Sequence, residues 1–162
     1  MPELIRNREV VADEWSYLDD DEPIPATGRV IVSWPRWLAQ CKDDPSLDRS
    51  RIGVVAEGHT DPDEIGPHAA ALPLVALFVP KFADGRHYST ARLLRERHGF
   101  DGELRATGDV VPDQIFFMHR VGYSAFELPA GPRLRAALAA LDTFSVTYQG
   151  AARGRPLHRA RA

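Results

Sequence analysis

The chain has 162 residues, 44% of them hydrophobic, with a formal net charge of −3 and a pI near 6.1. That length fills one ordinary core rather than two, and the charge gives no general attraction to nucleic acid or an anionic membrane, which needs clustered Lys and Arg. A single cysteine, Cys41, excludes an intramolecular disulfide and suits a reducing compartment.

Met1 is followed by Pro2, Glu3 and soon by further acidic residues, without the basic region and apolar core of a signal peptide. The longest apolar run, residues 69–80, is about half the ~20 residues of a membrane span. The expected location is therefore the cytoplasm. Residues 3–17 read as two short strands around Arg6-Asn7-Arg8, anchored by Val10, Val11 and Trp15. An acidic loop, residues 19–22, runs into Pro23 and Pro25.

A repeating strand-turn-helix rhythm follows. Residues 29–34 form a strand, and Pro35 suits the first turn of a helix through Trp37, Leu38 and Cys41. Residues 52–56 form the next strand, and Asp61-Pro62-Asp63-Glu64 opens a helix. Residues 74–79 are continuously apolar, as in a central parallel strand. A helix starts at Tyr88-Ser89 with Ala91, Leu93, Leu94 and His98 inward, Arg92, Arg95, Glu96 and Arg97 solvated, and Gly99 at its end.

Residues 103–106 form a strand with polar and apolar residues alternating, and residues 113–120 a helix with Ile115, Phe116 and Met118 or His119 inward, closed by Gly122. Strand 124–128, helix 132–141 and a last strand 144–148 complete the pattern. The expected fold is a single α/β domain over residues 1–150. It has an amino-terminal strand pair and a mostly parallel sheet, either open and doubly wound or barrel-like in part. Residues 151–162 hold Arg153, Arg155, His158, Arg159 and Arg161 among Ala, Gly and Pro, and read as a basic tail, a solubilising end or a docking arm.

The segment Asp84-Gly85-Arg86-His87-Tyr88-Ser89-Thr90-Ala91-Arg92-Leu93-Leu94-Arg95, then Gly102-Glu103-Leu104-Arg105-Ala106, Gly108-Asp109-Val110, Asp113-Gln114 and Ala125-Phe126, closely resembles bacterial domain-of-unknown-function family 934. A weaker likeness reaches the amino-terminal strands and Trp37-Leu38, so it covers most of residues 3–148. Members are commonly encoded beside sulfite reductase and phosphoadenylylsulfate reductase. The resemblance therefore implies an oxidoreductase or accessory factor of assimilatory sulfite reduction, with sulfite reductase or another enzyme of sulfate assimilation as partner. The chain departs from the family pattern at His87, where glycine is usual, at Val121, where cysteine is usual, and at Tyr123-Ser124, where Phe-Asp is usual. Without that cysteine, a thiol mechanism at position 121 is not expected.

The residues offer candidate chemistry at strand ends, where parallel α/β proteins bind ligands. Arg86, Tyr88 and Ser89 stand at a helix start where sulfite or another small oxyanion could be held, with Arg105, Asp113 and Gln114 as further binding residues and Asp84 or Asp109 moving a proton. The plain alternative is a tight turn at Asp84-Gly85, a capping Ser89, an Asp109 that caps the next helix, and a Glu103–Arg105 ion pair. No G-x-G-x-x-G, Walker lysine, paired cysteine or HxxxH motif is present, so no cofactor or metal is expected from this chain and reductive chemistry falls to a partner. The open functional readings are the accessory factor, a small cofactor-free enzyme acting on an anion, and a non-catalytic interaction module.

Overall fold

A computed structural model describes residues 2–81 and 83–142. β1 (Glu3–Arg6) and β2 (Glu9–Ala12) form an antiparallel hairpin with Ile5 opposite Val10. Its two-residue turn holds Asn7 and Arg8 at φ 51° and 70°, the left-handed pair that matches the twist of the flanking strands. Arg8 is anchored there by bonds from its guanidinium to the Leu141 carbonyl (2.8 Å) and Asp142 Oδ1 (3.1 Å).

A third strand, β3 (Trp15–Tyr17), comes after only Asp13 and Glu14, where the sequence suggested a pair. It runs parallel to β4 (Arg29–Ser33), and β5 (Ile52–Glu57), β6 (Leu74–Val79), β7 (Glu103–Gly108) and β8 (Ala125–Phe126) continue the parallel ladder. β1 then pairs antiparallel with β8. The expected strand 124–128 is thus short, although the Glu127 amide still donates to the Ala106 carbonyl (3.0 Å).

The strand order is β2-β1-β8-β7-β6-β5-β4-β3. The two edge strands, β2 and β3, are therefore neighbours in sequence. If flat, eight strands would separate those edges by about 34 Å, whereas three Cα steps from Ala12 to Trp15 reach at most about 11 Å. The sheet must curl into a half-barrel, and the partial-barrel form of the expected fold is the one that matches. The core agrees. One face of the sheet (Val30, Val32, Val54, Val75, Leu77, Leu104) joins a cluster with apolar residues of every helix, while the other face holds a small cluster of Trp15, Ile31, Leu74 and Ala76 with no helical residue.

α1 (Trp34–Arg36) runs into a π-helical turn (Trp37–Cys41), with the Ser33 hydroxyl accepting from the Arg36 amide and Trp34, Trp37 and Cys41 buried. Asp61 opens α2 (Pro62–Ile65), its Oδ1 accepting the Asp63 amide at 2.8 Å, as the sequence indicated. α3 spans Arg86–Glu96, beginning two residues before the expected start, so Ser89 lies inside the helix and does not cap it. Arg95, expected on the solvated side, is buried: its guanidinium donates to the carbonyls of Gly122 (2.9 Å), Phe100 (2.7 Å) and Gly102 (2.8 Å). Those carbonyls belong to turns with no strand partner for them, and the long side chain reaches all three.

A 3₁₀ turn (Pro112–Gln114) leads into α4 (Ile115–Val121), which Gly122 ends at φ 119°. Phe116, expected inward, is only half-buried, and Phe117 is exposed. α5 (Pro132–Asp142) closes the described chain, and the expected strand 144–148 and tail 151–162 lie outside the described residues.

The alternation along β7 puts Glu103, Arg105 and Thr107 on the face away from the helices. Arg105 is fully buried there. Its Nε donates to Glu103 Oε1 (2.8 Å), NH1 to Asp13 Oδ2 (2.9 Å) and Glu127 Oε1 (2.7 Å), and NH2 to Asp13 Oδ1 (3.1 Å). Glu103 in turn accepts from Arg6 Nε at 2.8 Å. Burial alone pushes the Arg105 pKa down, but the bonds and charges of Asp13, Glu103 and Glu127 outweigh it and hold the guanidinium charged. Removing one partner of a buried ion group strands the others, so Arg105→Ala is expected to lower the unfolding free energy by about 3–5 kcal/mol in urea denaturation. Arg105→Lys recovers only part of that loss, because a single ammonium cannot reproduce the planar fork.

Candidate functional site

The carboxyl ends of the parallel strands carry two cavities. One, of about 550 Å³, opens between β3 and the ends of β7 and β8, lined by Trp15, Tyr17, Thr107 and Glu127 among others. Glu127 is its most engaged group, accepting from Tyr17 Oη (2.6 Å), Thr107 Oγ1 (2.7 Å) and Arg105. Burial and then the Glu127 charge raise the Tyr17 pKa, so the phenol stays a donor. Two of its lining carboxylates, Asp13 and Glu127, are thus held by the buried Arg105 guanidinium.

The second cavity, of about 640 Å³, lies at the ends of β4, β5 and β6. Ser33, Glu57 and Phe78 reach it from the strand ends, and Trp34, His59, Thr60 and Glu64 from the segments that follow. Its outer wall is the acidic loop, which Arg36 pins through bonds to the carbonyls of Asp19 (2.8 Å) and Glu22 (2.5 Å) while Ser33 Oγ donates to Asp20 Oδ1 (2.8 Å). Gly58 lets the loop after β5 pass against α3: a Cβ there would sit 2.8 Å from the Phe78 carbonyl oxygen and 2.9 Å from His87 Cβ.

None of the residues expected to form a site lines either of these two cavities. Asp84 Oδ1 accepts the Arg86 amide (3.2 Å) and Nε (2.9 Å), and Oδ2 accepts NH2 (2.6 Å). Asp84, not the expected Ser89, accepts a backbone amide at the start of α3, and these bonds from Arg86 hold its carboxyl well below the usual carboxylate range. The Arg86 side chain is 65% exposed. Tyr88 is half-buried with its ring 4.3 Å from the His87 ring, and Ser89 is exposed. Arg105 pairs with Glu103 as one reading anticipated, yet its other partners are Asp13 and Glu127 and not the Asp84 corner. Asp109 is half-buried, its amide donating to the Val79 carbonyl (2.7 Å), but it does not cap the 3₁₀ turn, whose cap position is Val111. Asp113 is exposed and Gln114 half-buried.

Sequence reasoning missed the roles of Asp13 and Glu127 and the grouping of Glu57, His59, Glu64, Trp34 and Phe78. For the latter the available signal was position: each stands at or just beyond the end of a strand. Among the described residues no group of His, Cys, Asp and Glu is arranged to hold a metal ion, and no helix is long and apolar enough to cross a membrane.

Residues 53–158 match a family described as bacterial protein of unknown function (DUF934). The chain belongs to this family. The match starts at the second parallel strand of the repeating rhythm, so it takes in the Asp84 segment and leaves the amino-terminal hairpin outside. No curated protein and no solved structure matches the chain.

Within this DUF934 chain, His87 and Tyr123 are paired. His87 Nδ1 lies 2.9 Å from Tyr123 Oη, both side chains are buried, and His87 Nε2 has no hydrogen-bond partner. Burial pushes the His87 pKa down, against a smaller opposing pull from the Asp84 carboxylate. The unfolded chain takes up a proton near pH 6.5 that the folded chain refuses until lower pH. The stability contributed by neutral His87 is therefore complete above about pH 6.5 and is lost as pH falls below it. Chemical denaturation across pH 5–7.5 is expected to show stability rising with pH, with a shallower rise in His87→Phe.

Proposed function

We propose that the chain is an accessory factor of assimilatory sulfite reduction that docks onto the reductase or a neighbouring enzyme of sulfate assimilation, while the partner carries the cofactor and the reductive step. The sulfur assignment comes from the family's resemblance-based association with sulfite reductase. The observation favouring docking over catalysis is the occupation of both candidate anion-holding arginines: Arg86 by Asp84, and Arg105 by Asp13, Glu103 and Glu127. Asp84, the first candidate for moving a proton, is kept ionised by Arg86, whereas an efficient general acid or base has a pKa near the working pH.

In this role residues 84–89 and 107–114 form the contact surface, with the exposed Arg86 at its centre. Asp84 engages the Nε and NH2 of Arg86, which leaves NH1 as a charge-assisted donor to a carboxylate of the partner protein. The test is growth of a deletion strain on sulfate, sulfite or sulfide, joined to co-elution of the purified chain with sulfite reductase. Poor growth on sulfate and sulfite, rescue by sulfide, and co-elution that Arg86→Ala weakens by about tenfold are the expected results. Equal growth on all three sources removes the sulfur assignment. Turnover of a sulfur substrate by the purified chain alone removes the accessory reading in favour of a small enzyme.

A further inference from the structure

β3 ends the sheet, and its outer main-chain groups are open. Tyr17 stands opposite Ile31 in the parallel register, and the Leu18 amide donates to the Ile31 carbonyl (2.9 Å). Alternate residues of a strand turn their main-chain groups to the same neighbour, so Ser16 and Leu18 face β4 while Trp15 and Tyr17 face away from it. The Trp15 amide is taken by Asp13 Oδ1 at 3.0 Å. That leaves the Trp15 carbonyl and both the amide and the carbonyl of Tyr17, with which no strand pairs among the described residues.

This edge borders the cavity of about 550 Å³. All of residues 13–17 line that cavity and no residue of β4 does, which puts it along the outer side of β3. Residues 127–129, from the end of β8 onward, form the opposite wall, so the cavity is a groove that takes a single extended chain rather than the edge of a second folded sheet. The Tyr17 side chain is 43% exposed, and its Oη bond to Glu127 (2.6 Å) fixes the ring at the groove. Thr107 and Gly108 also line it and begin segment 107–114, which makes the groove continuous with the contact surface proposed above.

We propose that an extended segment of the docking partner enters this groove and adds to β3 as a further strand, an inference that rests on the docking reading. An unpaired strand edge is a template for another chain, and main-chain bonds then carry the affinity. Two partner residues, two apart in sequence, complete the open groups in either strand direction. Both donate their amides, to the Trp15 and Tyr17 carbonyls, and one of them also accepts the Tyr17 amide. Neither of those partner residues can be proline, which has no N–H to donate.

Amide hydrogen exchange of the full chain, alone and with purified sulfite reductase, tests the proposal. The Tyr17 amide is expected to exchange fast in the free chain and about tenfold more slowly with the reductase, whereas the Leu18 amide, already bonded to Ile31, is expected to be slow in both. Tyr17→Ala removes the ring, and Tyr17→Pro removes the ring and the amide, so the pair isolates the main-chain donor. Tyr17→Pro is expected to bind the reductase about tenfold more weakly than Tyr17→Ala. If Tyr17→Pro does not fold, the exchange of the wild-type amide decides alone. Co-elution with a Tyr17 amide that exchanges as fast as in the free chain overturns the inference and leaves the docking reading standing, whereas no co-elution removes both. Protection of Tyr17 that grows with the concentration of the chain alone also overturns it, because a second copy would then occupy the groove.

Discussion

The buried guanidinium of Arg105 holds together parts of this fold that are far apart in sequence. Its partners come from the link between the two edge strands (Asp13), from its own strand (Glu103), and from the residue after β8 (Glu127). Through Glu103 the same network reaches Arg6 on β1. A curled sheet brings its edges together at a cost in chain entropy, and a charge removed from water needs partners. Here one arrangement answers both demands: the carboxylates that make burial of the cation tolerable are the ones that join the edges.

The curl also decides where anything can bind. Apolar residues of the helices gather on one face, and the opposite face carries Trp15, Ile31, Leu74, Ala76 and the Arg105 network. What remains is the rim formed by the strand ends and the segments after them. There the two cavities differ in kind. One is floored by bonds that are already made, and the other is lined by carboxylates that form no ion pair among the described residues.

Much of the fold was legible because parallel strands covered by helices leave unbroken apolar runs such as Leu74–Val79, and because Asp61 and Gly122 mark helix ends by local chemistry. What escaped depends on contacts between distant residues. The spacing around Arg95 places it on a wet helical face, yet three carbonyls of turns beyond the helix, 5, 7 and 27 residues on, draw it inside. Asp13 is 92 residues from Arg105, and nothing near it in the sequence marks it as buried. The candidate site was least legible: Asp84 and Arg86, expected to move a proton and to bind an anion, also bond to each other across two residues, while Glu57 and Glu64 carried no motif and meet at one cavity.

The pairing of Ile5 with Phe126 has a bearing on how the chain is made. The β1–β2 hairpin is made before the other described elements, but its partner strand is among the last of them. Until β7 brings Arg105 to Asp13 and β8 reaches the hairpin edge, neither has a partner, so the parallel strands and their helices assemble around an open seam. Closure is thus a late event of long sequence separation, the kind that slows folding. The nascent chain waits on its own carboxyl-terminal third before its amino terminus becomes part of the sheet.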